Sequence, residues 1–200
     1  MNRARLALPL VVIWAIVVAF GFSRMLSYET TPGRGAAAPA RGAFESFPEY
    51  RVGLPVLLLF AHPKCPCTRA TIANLAVLMA DVAGHVNTYV LFVRLPSTVT
   101  GWEKTDLWQS AESIPGVHVV SDAGGAIAKR FGAATSGQAL LYGIDGKLLF
   151  RGGITDQRGH YGDNAGSCAI LTQLHHPESR VIDVPVFGCS LFGAAAASSR

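Results

Sequence analysis

Charge is scarce in this 200-residue chain: Asp and Glu number 13, Lys and Arg 17, and together they make up 15% of the residues. Half of the residues are apolar, so the chain can bury a core, and disorder over its whole length is excluded. Its basic residues form no stripe. Three of them, Arg3, Arg5 and Arg24, flank an apolar segment near the N-terminus, and without that segment the rest is close to neutral. Nucleic acid is therefore not expected as a partner. No internal repeat is apparent, which excludes a repeat array. Cysteine is sparse as well: four residues, open to three full pairings that the sequence does not rank. The length leaves room for one ordinary domain with accessories.

One long apolar run is present, residues 6–22, uncharged and bracketed by arginines. At roughly 1.5 Å per residue it spans about 25 Å, slightly short of a ~30 Å hydrocarbon core. The residues just past it, Gly21-Phe22-Ser23-Arg24-Met25, fit a cleavage site poorly, which leaves a cleaved signal peptide as the lesser alternative. Residues 1–27 are accordingly read as an uncleaved signal anchor and transmembrane helix. Arg3 and Arg5 would hold its amino end in the cytoplasm. This places the rest outside the inner (cytoplasmic) membrane, in the periplasm of a bacterium. Residues 28–47 are rich in Ala, Gly and Pro and have linker composition. A folded domain is expected over 48–193 and a frayed Ala/Ser tail over 194–200.

Within the domain, residues 54–60 form a continuous apolar run, the pattern of a strand buried on both faces. Ile72, Leu75, Ala76, Met79 and Val82 then recur at helical spacing, with Gly84 as a stop. Residues 89–95 predict a second buried strand, 101–113 a helix, 117–120 a short strand and 124–131 a short helix. Two strands, 139–142 and 147–150, flank the Asp145-Gly146 turn as a hairpin. A last helix covers 165–174. The order β-α-β-α-β-α-β-β-α calls for an α/β fold, a mixed sheet with helices on both faces.

The densest chemical signal is Cys65-Pro66-Cys67, between the first strand and the first helix of the domain. The first N–H groups of a helix have no internal partners, and the helix dipole places partial positive charge there. A thiol at that point ionises readily and becomes a nucleophile at neutral pH. Lys64 adds a second positive group, and Pro66 suits the first helical turn. Cys65 is the expected attacking thiol, which requires its sulfur to be surface-accessible. A bridge closed across a single residue is expected to be strained, and so more oxidising than the roughly −270 mV of thioredoxin.

Strand, cysteine pair, βαβ unit, hairpin and final helix together resemble the thioredoxin plan. The stretch from Leu57 through His62-Pro63-Lys64-Cys65-Pro66-Cys67 to Arg69 resembles membrane-anchored thioredoxin-like proteins of the TlpA/ResA kind, and among them the RedB group. The resemblance covers about residues 48–190. It implies a thioredoxin-like three-layer fold and thiol–disulfide exchange with protein thiols and disulfides outside the membrane, without a cofactor. Three features depart from the family. One residue rather than two separates the cysteines, Lys64 replaces a tryptophan, and Gly137 stands where the family has a cis-proline before the hairpin.

Alternatives stay open. Cys65 and Cys67 with His62 are soft ligands suited to Cu(I), which would make the chain a copper carrier on the same fold. A redox-inert binding module is a third option. Peroxidase chemistry is disfavoured because its Thr-x-x-Cys pattern would need threonine at position 62. Cys168 and Cys189 could form a structural disulfide in an oxidising compartment, or Cys189 could reach Cys65 and Cys67 as an extra resolving thiol. His160, in the Gly-rich loop 152–164, could line the site. His175 and His176 read as a solvated helix end, and His85 and His118 as surface or strand-edge residues.

Overall fold

A computed structural model describes residues 3–177 and 180–193, with side chains from residue 8 onward. The tail expected over 194–200 lies outside the described residues. The chain divides into two units, residues 1–31 and 32–200.

The first unit is one helix, α1 (Arg3–Thr30), with Pro9 near its start. Residues 8–30 form a predominantly apolar stretch of 23 residues, none of it buried. At 1.5 Å per residue that is about 34 Å, enough to cross a ~30 Å hydrocarbon core. The helix outruns the 6–22 run because nothing in the segment from Ser23 to Thr30 breaks it. It is a candidate membrane span or signal anchor.

The second unit carries β1 (Val56–Ala61), α2 (Pro66–Val82), β2 (Asn87–Arg94), α3 (Asp106–Glu112), β3 (Val117–Ala123), α4 (Ala126–Arg130), β4 (Gln138–Tyr142), β5 (Leu148–Gly153), α5 (Ala165–His175) and β6 (Ile182–Asp183). They build one six-stranded sheet in the order β3-β2-β1-β4-β5-β6. β1, β2 and β3 are parallel, while β4 runs antiparallel to both β1 and β5. This is a mixed α/β sheet of the thioredoxin-like kind.

Period-two alternation along β1 feeds two cores. Leu57, Leu59 and Ala61 pack with Ile72, Leu75 and Met79 of α2, Leu107 of α3 and Ile170 of α5. Val56, Leu58 and Phe60 pack on the other face with Ala128 of α4 and Phe131. Burial on both faces explains why β1 reads as an unbroken apolar run. Helix starts are fixed locally: Asn164 Oδ1 accepts the Ser167 N–H of α5 at 2.8 Å, and the Asp122 carboxylate accepts the N–H groups of Ile127 and Ala128, each at 2.8 Å.

The helix expected over 101–113 is confined to Asp106–Glu112, and two larger features also differ from expectation. Residues 33–47, read from composition as linker, are packed into the domain. Phe44 is 3% exposed and stacks on Phe131 with 5.9 Å between centroids, while Ala37 N–H donates to the Gly132 carbonyl at 3.2 Å. The aromatics at 44 and 47 outweigh the linker-like residues around them. β6 was not foreseen: a two-residue strand parallel to β5 carries no periodicity of its own.

Candidate functional site

Cys65 is the N-cap of α2, in extended conformation (φ −88°, ψ 117°), with Pro66 opening the helix. Side chains two apart on a helix project away from each other. Because Cys65 lies just outside the helical turn, its sulfur escapes that rule. The sulfurs of Cys65, Cys67 and Cys189 all lie within 4.8 Å of one another. Cys189 comes from a C-terminal strap, residues 184–191, laid over the turn that precedes β4. Ser136 N–H donates to the Cys189 carbonyl at 2.8 Å, Leu191 N–H to Ala134 at 2.9 Å and Gly33 N–H to Val186 at 2.7 Å.

The same turn faces α2. Ser136 Oγ accepts the His62 N–H at 2.8 Å and lies 2.7 Å from the buried Thr68 hydroxyl. Gly137 has φ +90°, a conformation that favours glycine, and its N–H donates to the Phe60 carbonyl at 2.8 Å. Arg158 donates to the Gly188 carbonyl and so ties the strap to the Gly-rich loop.

The thiols are electrostatically unequal. The Cys189 thiol donates to Cys65, and its N–H and the Thr68 hydroxyl and N–H add to this. Together they outweigh burial and pull the Cys65 pKa down to about 4. Burial and the adjacent Cys65 thiolate push Cys67 up. Donation to Cys65 keeps Cys189 protonated, and burial adds to this. The site therefore holds one thiolate, on Cys65, with two protonated thiols beside it.

The expected sites are placed as follows. Cys65, Cys67, Pro66 and Gly137 meet at the α2 N-terminus. The sulfur of Cys189 lies with Cys65 and Cys67, not with Cys168. Cys168 is an exposed free thiol on α5, in a groove of about 250 Å³ lined in part by Asn74, Val77 and Tyr161. Of the two alternatives for Cys168 and Cys189, the arrangement matches the one that brings Cys189 to Cys65 and Cys67, and both cysteines are free thiols. Lys64 is exposed and sets its ammonium 4.9 Å from the Trp102 ring centroid, so the leading stabilisation of Cys65 comes from Cys189. His62 is not part of the sulfur cluster: its Nδ1 accepts the Lys64 N–H at 3.2 Å, and its ring meets the edge of Trp102. Burial lowers its pKa. His160 is exposed, and the Gly-rich loop reaches the site through Arg158 instead.

The expectation of an exposed Cys65 is corrected. Cys65 is 1% exposed and Cys67 8%, because the strap covers them. The cover is polar and carries thiol, hydroxyl and amide donors, which is why Cys65 is ionised despite its burial. Sequence reasoning missed Thr68, Ser136 and Arg158. The signals present were their neighbours: Thr68 adjoins Cys67, Ser136 adjoins Gly137, and Arg158 lies two residues before His160.

The strap's fit can be tested directly. A Cβ on Gly188 would stand 1.9 Å from the Ser136 carbonyl oxygen, a clash between two backbones that only displacement of the strap relieves. Gly188→Ala is expected to speed iodoacetamide alkylation of Cys65 several-fold at alkaline pH, where the thiol is ionised in both proteins. It should also cost about 1–3 kcal/mol in urea unfolding. Unchanged alkylation would mean that the strap is not what seals Cys65.

No protein-family model matches the chain, and no curated protein is detectably similar to it. Solved structures share its fold. A hypothetical protein from Sinorhizobium meliloti superposes with a TM-score of 0.60 at 20% identity, over 82% of this chain and 96% of the other. An uncharacterized conserved protein from Geobacillus kaustophilus gives 0.59 at 17% identity, over 82% and 92%. A secreted Mycobacterium tuberculosis disulfide oxidoreductase aligns more loosely, with a TM-score of 0.44 at 17% identity over 62% and 81%. Likeness at this level concerns the fold, and the chemistry rests on the residues of this chain.

Proposed function

We propose that this chain is a membrane-anchored thiol–disulfide exchange protein of the TlpA/ResA-like kind, RedB-like in its cysteine motif. Its domain works outside the inner membrane, and α1 is its anchor. One observation carries the reading: an ionised cysteine at the start of α2 with two protonated thiols within 4.8 Å.

Cys65 is the nucleophile. Once the strap that seals it lifts, its thiolate attacks one sulfur of a partner protein's disulfide. That S–S bond breaks, a new one forms to Cys65, and the partner's second sulfur leaves as a thiolate that takes a proton. A second thiol of the site then loses its proton and attacks the Cys65 sulfur, releasing the partner's remaining thiol. The partner's disulfide is reduced to two thiols while two protein thiols are oxidised to one disulfide, and the reverse sequence oxidises a partner. Cys189 performs the closing step, because it already hydrogen-bonds to the Cys65 sulfur and closes a far larger ring than Cys67 would. Cys67 is the second protonated thiol beside the reacting sulfur. Lys64 and Pro66 shape the helix start, and Ser136 with the buried Gly137 seats the strap over the sulfurs.

The test uses the reduced full chain in detergent, incubated with glutathione disulfide. The expected product contains one internal disulfide, which peptide mapping assigns to Cys65 and Cys189. A thiol count that stays at four would overturn the reading, as would full retention of exchange when both Cys65 and Cys67 are replaced by serine.

A further inference from the structure

The three sulfurs also form a donor set independent of exchange chemistry. Three thiolates around one ion at about 2.3 Å, the usual metal–thiolate length, stand about 4 Å apart in a plane. The sulfurs of Cys65, Cys67 and Cys189 already lie within 4.8 Å of one another, so closing on an ion requires only a small contraction. Neither chain segment has to unfold to allow it, since Cys65 caps the helix that carries Cys67 and the strap is already seated by the Ser136–Cys189 hydrogen bond.

The donor set selects the ion. Thiolates favour soft ions such as Cu(I) and Zn(II). Zn(II) in a structural site takes four ligands in a tetrahedron. Among the described residues no fourth His, Cys, Asp or Glu joins the three sulfurs. His62, the nearest candidate by sequence, has its Nδ1 engaged by the Lys64 N–H. Cu(I), singly charged and softer, needs no fourth ligand and is satisfied by three sulfurs. The near-complete burial of Cys65 and Cys67 limits access of water as a further ligand and shields the ion from oxidation. Arg158, bonded to the carbonyl next to Cys189, brings positive charge beside an otherwise anionic centre.

We propose that Cys65, Cys67 and Cys189 form a three-thiolate Cu(I) site that pins the C-terminal strap to the start of α2. The bound ion needs all three sulfurs reduced, so any disulfide among them excludes it. Binding displaces the remaining thiol protons to solvent and changes no oxidation state.

The experiment is an anaerobic titration of the reduced full chain in detergent with Cu(I), against a colorimetric Cu(I) chelator, with X-ray absorption at the copper edge. The expected result is one ion per chain with a shell of about three sulfurs. Cys189→Ser should weaken binding by more than the roughly 10–100-fold typical of losing an outer-shell partner, while Cys168→Ser and His62→Ala leave it unchanged. Circular dichroism confirms that each variant is folded, and a Cys189→Ala variant guards against a serine-specific effect. Equal affinity in wild type and both Cys189 variants, a two-sulfur shell, or a loss on His62→Ala as large as that on Cys189→Ser would each overturn the site. Glutathione exchange of the copper-free protein is measured alongside. A chain that exchanges disulfides without holding copper removes only the metal site, and one that holds copper without exchanging removes only the redox reading.

Discussion

Cys65→Ser loses exchange with glutathione disulfide by about three orders of magnitude or more, because a serine hydroxyl stays un-ionised where a cysteine thiolate attacks unaided. The other two thiols do not substitute for it. Burial disfavours ionisation of both even without Cys65, and neither occupies the N-cap position. Their own replacements separate the remaining roles. Cys189→Ser leaves the first attack intact and removes the closing thiol, so the glutathione adduct on Cys65 should accumulate and be visible by intact-protein mass spectrometry. Cys67→Ser should clear that adduct at nearly the wild-type rate. The reverse pattern, with the adduct trapped by Cys67→Ser and cleared in Cys189→Ser, would assign closure to the small ring instead. Substantial exchange in Cys65→Ser would remove the proposed nucleophile altogether.

The second large effect is on pH dependence. A thiol with a pKa of about 4 is fully ionised above about pH 6, and its alkylation rate should be flat from there upward. The rate should fall only as the pH drops through the folded-state value. An ordinary thiol with a pKa of about 8.5 would be under 1% ionised at pH 6, and its rate would go on climbing about tenfold per unit until the pH neared 8.5. Cys189→Ala removes the leading donor to the Cys65 sulfur, and the midpoint of the profile should move up from about 4. Mass-spectrometric alkylation rates for Cys65, taken across pH in both proteins, read this out. A wild-type midpoint near 8.5, or identical midpoints in the two proteins, would contradict the hydrogen-bonded thiolate.

The sign of this shift also bears on the direction of electron flow. Stabilising the thiolate stabilises the reduced protein, and it makes Cys65 a good leaving group in any mixed disulfide. Both effects favour electrons passing from partner to protein, toward potentials above the roughly −270 mV of thioredoxin.

Much of the fold was legible because its signals are local. β1 and β2 are continuous apolar runs, Asp145-Gly146 marks the hairpin, and Cys65-Pro66-Cys67 marks the start of α2. What escaped depends on distant pairing. Phe44 and Phe47 sit in a stretch whose average composition is that of a linker, and only the pocket beside Phe131 shows why they are buried. Cys189 was seen as one of two possibilities, since nothing in Val186-Phe187-Gly188-Cys189 says which way a strap will run. Burial of Cys65 was not legible at all: the residues that cover it belong to the chain's last segment and to the turn at Ser136.

That late segment has a consequence for biogenesis. Cys65 leaves the ribosome long before residue 189 is made, so a nascent or truncated chain carries a bare cysteine pair without its third sulfur or its cover. The mature chemistry begins only when residues 184–191 have been made and the strap docks, and a protease that cuts ahead of them would turn a shielded centre into an indiscriminate one.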